Sequence, residues 1–211
     1  RNPVPSSAAA AATAIQNGFH AESARCGLSS PGQWGDSAAS TAPRWVRMIF
    51  ANLVRAYQDG DDLEAREGMA VASFYAGLAF TKAYVGYVHA FSHKLGGMYG
   101  VPHGLANAIT LPYVLDFIKD APLARERLAQ LAVVIGAGTA GEPHDILAQR
   151  FIERVRELNR GVGIPDKVAA LKPADVPTVA RAAMVEAARD YPVPKNMSLR
   201  EAETLLQRML A

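Results

Sequence analysis

The sequence of 211 residues predicts an all-α protein, and three observations support this prediction. Apolar residues from Arg44 onward recur at spacings of three and four, which places them on one face of a helix. Ser198-Leu199-Arg200-Glu201 has the pattern of a capping box, the signal that opens a helix. No set of alternating apolar and polar residues indicates a sheet.

The composition excludes several classes of protein. Apolar residues make up 50% and charged residues 20%, so the chain is neither disordered nor collagen-like. The net charge is +2 with both signs interleaved, which argues against a nucleic-acid partner. No apolar run reaches about 18 residues, so we expect no membrane span and a cytoplasmic location. The single cysteine, Cys26, can form neither an internal disulfide nor a thiolate metal site alone.

Two regions differ in pattern. Residues 1–43 are rich in Ala, Ser, Gly and Pro and show weak periodicity, whereas residues 44–211 are predicted to be helical throughout. The first predicted helix contains Trp45 and stops at Asp59-Gly60. The second opens at Asp61-Asp62-Leu63-Glu64 and is apolar nearly all round, which predicts a buried central helix. Later helices are predicted from near His103, with a kink or boundary at Pro112, and over 122–135, 144–160, 175–189 and 199–210.

Residues 136–141, Gly-Ala-Gly-Thr-Ala-Gly, match the GxGxxG pattern of dinucleotide-binding loops. An apolar run, Leu131 to Ile135, precedes them, but it belongs to a segment with helical periodicity from Pro122. Pro143 follows at once, and no strand completes a βαβ unit. We therefore favour a loop between two helices over a nucleotide site.

Three of the five histidines form a candidate metal site. His89 and His93 are four residues apart, so on a helix they project from one face. Glycines and Pro102 lie between His93 and His103, and this stretch can fold back to bring His103 beside that face. Imidazole nitrogens suit iron, zinc, nickel and copper. The alternative is that these are core or helix-end histidines whose nitrogens bond backbone carbonyls.

One long string resembles the iron-containing alcohol dehydrogenases. Residues 88–112 read VHAxxHxLGGxYxxPHGxANAxxLP, and Gly77-Leu78-Ala79-Phe80, residues 159–165 and Tyr191-Pro192-Val193-Pro194 are similar too. The resemblance covers about residues 44–211 well and residues 1–43 poorly. It implies the C-terminal helical domain of that family, which holds a divalent metal. The family also has an N-terminal α/β domain that binds NAD(P), and the resemblance does not extend to it.

The resemblance also implies roles for individual residues. His89 and His103 correspond to two metal ligands, and His93 to a residue that relays a proton near the substrate. Residues 13–22 are the closest match to the helix that carries the other two ligands. They give His20 as the third ligand and place Gln16 where the family has Asp. A neutral Gln carbonyl offsets less cation charge than a carboxylate, so the affinity for a divalent metal should be lower. Iron(II), which binds such sites less tightly than zinc, should be affected first.

Two functions remain open at this point. By resemblance, the chain is the metal-binding half of an NAD(P)-linked oxidoreductase that interconverts alcohols and aldehydes, with iron(II) as the expected metal and zinc as the other candidate. The metal acts as a Lewis acid on the alcohol oxygen and favours hydride transfer to the nicotinamide. We expect a small alcohol or aldehyde as substrate and allow for a homodimer. The alternative is a non-catalytic helical remnant that serves as a binding or oligomerisation module.

Overall fold

The structure, a computed structural model, describes residues 35–211, apart from the side chains of residues 35–43, 79–83 and 190. Gln16, His20 and Cys26 therefore lie outside the described residues. The all-α prediction is confirmed, because the described part contains helices and no strand beyond one isolated bridge between Val168 and Leu210. The helices are α1 (Gly35–Gln58), α2 (Leu63–Ala83), α3 (Tyr87–Tyr99), α4 (His103–Ile118), α5 (Pro122–Val134), α6 (His144–Gly161), α7 (Val176–Asp190) and α8 (Leu199–Arg208), with a turn of 3-10 helix at Pro173–Asp175.

The predicted capping signals begin helices where expected. The Ser198 hydroxyl accepts a hydrogen bond from the Glu201 backbone N–H, and the Glu201 carboxylate accepts from the Ser198 N–H. At the start of α2, the Asp62 carboxylate accepts from the Ala65 N–H at 3.0 Å. Each contact gives a partner to a backbone donor that has none within its helix.

Helix α1 begins earlier than its periodicity indicates. It starts at Gly35 and continues through Pro43, whereas the sequence pattern becomes helical only at Arg44. Residues 36–42 are mostly Ala and Ser, so they show no amphipathic pattern, although alanine favours the helix. From there on the pattern is informative, since Trp45, Ile49 and Leu53 are buried in the core.

The prediction that α2 is buried on all sides is wrong. Its buried residues form one stripe that packs against α1: Ala65, Met69, Ala72 and Ala76. Bulky apolar residues lie outside this stripe, and Phe74 is 65% and Leu78 52% exposed. Uniform apolarity shows that a helix can be covered on every side, but not which side the fold covers. Even so, no helix in the described part is both long and apolar enough to cross a membrane.

Helices α3 and α4 both continue through residues that often interrupt a helix. Gly96 and Gly97 lie inside α3, which ends only where Gly100 takes a left-handed conformation with φ of 65°. That conformation costs glycine little. Pro112 lies inside α4 rather than at a boundary. Because proline has no N–H, the carbonyl of Ala108 loses its helical donor, and the Asn159 side-chain amide donates to it instead at 2.7 Å.

Helix α3 occupies the position that matters for the candidate site. It packs against α4 on one side and α7 on another, while α5 pairs with α6 and α7 with α8. Most residues of its first three turns are buried, among them Val88, Ala90, Phe91 and Leu95. A side chain on α3 can therefore meet residues of α4 and α7 that are far away in sequence.

The segment 136–141 is a loop between α5 and α6, as predicted. Leu131 belongs to α5 and not to a strand. Gly136 and Gly141 have φ of 73° and 97°, so both use conformations that favour glycine. The Glu142 carboxylate accepts from the Thr139 N–H at 2.7 Å, which fills part of the loop with an acidic group of the chain itself. This geometry does not support a phosphate-binding loop.

Candidate metal centre

The start of α3 places His89 in the first turn of that helix. Gly86 precedes the helix in an extended conformation, and its carbonyl accepts from the His89 N–H at 3.0 Å. The Tyr87 hydroxyl accepts from the Met197 N–H at 2.8 Å, so the beginning of α3 is tied to the chain segment before α8. His93 follows one turn later on the same helix.

His103 is the first residue of α4, directly after Pro102. The chain between α3 and α4 does fold back as predicted. The ring centroids of His89 and His103 are 5.1 Å apart, those of His93 and His103 5.2 Å, and those of His89 and His93 5.7 Å. Histidines up to fourteen positions apart in sequence thus form one cluster of three imidazoles.

Two rings of this cluster are influenced by burial. His89 is only 5% exposed. Burial, together with the neighbouring His93, lowers the pKa of His103 below its ordinary value of 6.5, so the ring is neutral at neutral pH. A neutral imidazole offers one lone pair, which a metal ion requires. The Asn107 amide nitrogen lies 3.1 Å from His103 Nε2. Because an amide N–H can only donate, this contact engages the Nε2 lone pair, and a metal bound to that nitrogen would take the place of the contact.

His93 differs from its two neighbours because its Nδ1 contacts a carboxylate. Glu186 on α7 lies 2.6 Å from this nitrogen. The same carboxylate also accepts from the Tyr191 hydroxyl and the Lys94 ammonium, both at 2.5 Å. Burial alone would raise the pKa of Glu186, but the hydrogen bonds from Lys94, Tyr191 and His93 outweigh it and lower the pKa to about 2.

The low pKa of Glu186 makes stability depend on pH in the acid range. The carboxyl has an ordinary pKa of 4.5 when unfolded and about 2 when folded, so it stabilises the fold above pH 4.5 and loses this contribution as pH falls to 2. We expect Glu186→Gln to destabilise the chain at neutral pH, with the difference from wild type narrowing between pH 4.5 and 2. Urea unfolding at several pH values measures this. Glu153→Gln, which removes an exposed carboxylate, is the control, and a constant difference for Glu186→Gln would contradict the prediction.

The cluster has donors that suit a divalent cation but is not a complete site within residues 35–211. No group of three His, Cys, Asp or Glu side chains there is arranged to hold a metal ion. The rings of His89 and His103, with centroids 5.1 Å apart, are close enough to be neighbouring ligands of one ion, since a ligating imidazole nitrogen lies about 2 Å from its metal. The remaining predicted ligands, His20 and Gln16, lie outside the described residues.

The sequence did not reveal the partners of the histidines. Glu186 is on a helix that was predicted correctly, but no local pattern distinguishes it from the other charged residues of α7. Tyr191 belongs to a string that was noticed only as a similarity, and Lys94 and Asn107 lie inside the long motif without an assigned role. The i, i+4 spacing of His103 and Asn107 is the local signal from which their contact could have been expected.

The sequence of this chain is similar to a known protein family and to several characterised dehydrogenases. The model of the Fe-containing alcohol dehydrogenase family, C-terminal, matches residues 36–210. A 1,3-propanediol dehydrogenase of Klebsiella pneumoniae is 40% identical over 151 residues, which are 71% of this chain and 38% of that protein. An NAD-dependent methanol dehydrogenase of Bacillus methanolicus is 36% identical over 126 residues, which are 60% of this chain and 32% of that protein.

Solved structures agree on the fold. An alcohol dehydrogenase from Oenococcus oeni superposes with a TM-score of 0.82 at 29% identity, covering 98% of this chain and 52% of that one. A 1,3-propanediol oxidoreductase superposes with a TM-score of 0.80 at 32% identity, covering 94% of this chain and 51% of that one. The chain thus spans about half the length of these structures and 38% of the propanediol dehydrogenase sequence.

Proposed function

Since the chain belongs to the Fe-containing alcohol dehydrogenase family, we propose that it is the metal- and substrate-binding half of an NAD(P)-linked alcohol dehydrogenase. The observation that supports this most directly is the cluster of His89, His93 and His103, with ring centroids 5.1–5.7 Å apart. The same proposal takes a small alcohol or aldehyde and a nicotinamide cofactor as partners, and the cytoplasm as location.

In this proposal the histidines divide into two roles. His89 and His103 hold the divalent metal, because one is buried and the other is kept neutral by its surroundings. A bound metal supplies Lewis acidity that eases loss of the alcohol proton. His93 takes up that proton, since its ring is beside both ligands while its own Nδ1 is engaged with Glu186. His20 and Gln16 complete the ligand set.

Metal binding by the full chain tests the proposal. Anaerobic calorimetric titration with iron(II) and with zinc should give saturable binding of one ion per chain. A chelator should reverse the binding, as expected for a specific site. Absence of binding by a chain that remains helical by circular dichroism would contradict the proposal. The alternative, a helical remnant that acts as a binding or oligomerisation module, would then be the better account.

Gln16 offers a second test, because it replaces the expected anionic ligand. We expect Gln16→Asp to raise the affinity for iron(II) by about tenfold or more, since a carboxylate near a cation contributes several kcal/mol even at an effective dielectric constant of about 20. The same titration measures this. Gln130→Asp, which adds a charge at an exposed position on α5, is the matched control. Equal affinity of Gln16→Asp and the unmodified chain would remove Gln16 from the ligand set.

The chain by itself is expected to show no appreciable turnover. It has no dinucleotide-binding loop in the described residues, since 136–141 connects two helices, and it spans about half the length of the solved relatives. An assay of NADH formation with several primary alcohols and saturating metal measures this. Robust activity would show that the chain binds the nucleotide without a further domain.

A further inference from the structure

We propose that Glu186 is the positioning residue for His93: it holds the ring in one orientation and in the tautomer that carries its proton on Nδ1. Nε2 is then the nitrogen that takes up or releases a proton. The purpose of this arrangement rests on the proposed function, in which His93 relays a proton. The arrangement itself rests only on contacts between described residues.

The contact between Glu186 and His93 determines the tautomer. A carboxylate can only accept hydrogen bonds, so the 2.6 Å contact requires a proton on His93 Nδ1. A neutral imidazole has a single N–H, and the lone pair must then be on Nε2. The His93 side chain is 42% exposed, so the ring is not enclosed by the core.

Further contacts fix the carboxylate itself. The Tyr191 hydroxyl donates to Oε1, the oxygen that also faces His93, and the Lys94 ammonium contacts Oε2. With both oxygens engaged and the side chain only 22% exposed, Glu186 has little freedom to rotate. Lys94 follows His93 directly on α3, so the same pair of helices carries both contacts. A rigid acceptor of this kind fixes the orientation of its donor.

Two other roles for Glu186 make different predictions. If its contacts only tie α3 to α7, removing the carboxylate lowers stability without changing the tautomer of His93. If His93 is itself a metal ligand, Glu186 is the outer partner of that ligand, and its removal weakens metal binding about 10–100-fold. The positioning role predicts a changed tautomer and an unchanged metal affinity.

Nitrogen-15 NMR of the histidine rings in the full chain distinguishes these roles. At about pH 8.5, where histidine is ordinarily neutral, we expect His93 to carry its proton on Nδ1. Glu186→Ala should shift the population toward the Nε2–H form, whereas Glu186→Gln, which keeps an oxygen acceptor, should largely restore Nδ1–H. Tyr191→Phe is the matched control, because it removes a donor from the same oxygen but leaves the acceptor for His93.

Either of two NMR results would overturn the inference: an Nε2–H tautomer in the unmodified chain, or an unchanged tautomer in Glu186→Ala. A fall of about tenfold or more in zinc affinity for Glu186→Ala would also overturn it, since His93 would then be a ligand. The tautomer is measured without metal or nucleotide. Its result therefore stands even if the chain binds no metal and the proposed function fails.

Discussion

Replacing Asn159 with leucine is expected to lower the free energy of unfolding by about 2 kcal/mol, because it leaves a buried carbonyl without a donor. Pro112 has no N–H, so the Ala108 carbonyl one turn earlier depends on the Asn159 amide, which donates to it at 2.7 Å. Ala108 is fully buried, so water does not replace the lost donor readily. Chemical denaturation of the variant and the unmodified chain measures the difference.

The cause of this loss can be isolated with a second substitution. In a Pro112→Ala background, residue 112 regains its N–H and can donate to the Ala108 carbonyl as in a regular helix. Asn159→Leu should then cost less, and the difference between the two backgrounds is the coupling between these positions. An equal cost in both backgrounds would mean that Asn159 stabilises the chain through packing and not through this hydrogen bond.

The sequence predicts most helices well because the signals that begin and end them are local. The capping box at Ser198 and Glu201 and the proline at position 122 act within one turn of the helix they begin. Helix α6 was predicted over 144–160 and is found at His144–Gly161. Each of these features depends on neighbouring residues and requires no knowledge of the tertiary fold.

Burial of α2 could not be predicted in the same way. Phe74 and Leu78 are apolar like Met69 and Ala72, but only the second pair faces α1. Periodicity identifies a buried face by its contrast with a polar one, and α2 has little contrast. The side on which another helix packs is then decided by the tertiary arrangement.

Only the part of the candidate site that depends on local spacing could be predicted from the sequence. His89 and His93 are one turn apart, and the glycines before His103 indicated a return of the chain, so the cluster was expected from sequence. Glu186 is 93 residues from His93 and meets it only because α3 packs against α7. The Asn159 contact with Ala108 likewise spans 51 residues. Such contacts follow from the fold and leave no local pattern.

The largest effect on binding is expected at the two proposed ligands. His89→Ala and His103→Ala should each lower zinc affinity by about 100-fold or more, because a site of four ligands divides about 10–16 kcal/mol of apparent binding free energy among them. His144→Ala is the control, since His144 is exposed at the start of α6 and has no ring contact with the three clustered histidines. His93→Ala should retain most of the affinity if this residue relays protons and is not a ligand.

The pH dependence of binding supplies an independent check on these assignments. Protons compete with the metal for imidazole lone pairs, so affinity should fall as the pH drops below the pKa of each ligand. Because burial lowers the pKa of His103 below 6.5, its competition should begin at a lower pH than for an ordinary histidine. Titrations between pH 5 and 8 should therefore show binding that persists to lower pH than histidines with the ordinary pKa would allow. If His89→Ala and His103→Ala bind zinc as tightly as His144→Ala at every pH, the clustered imidazoles are not the metal ligands.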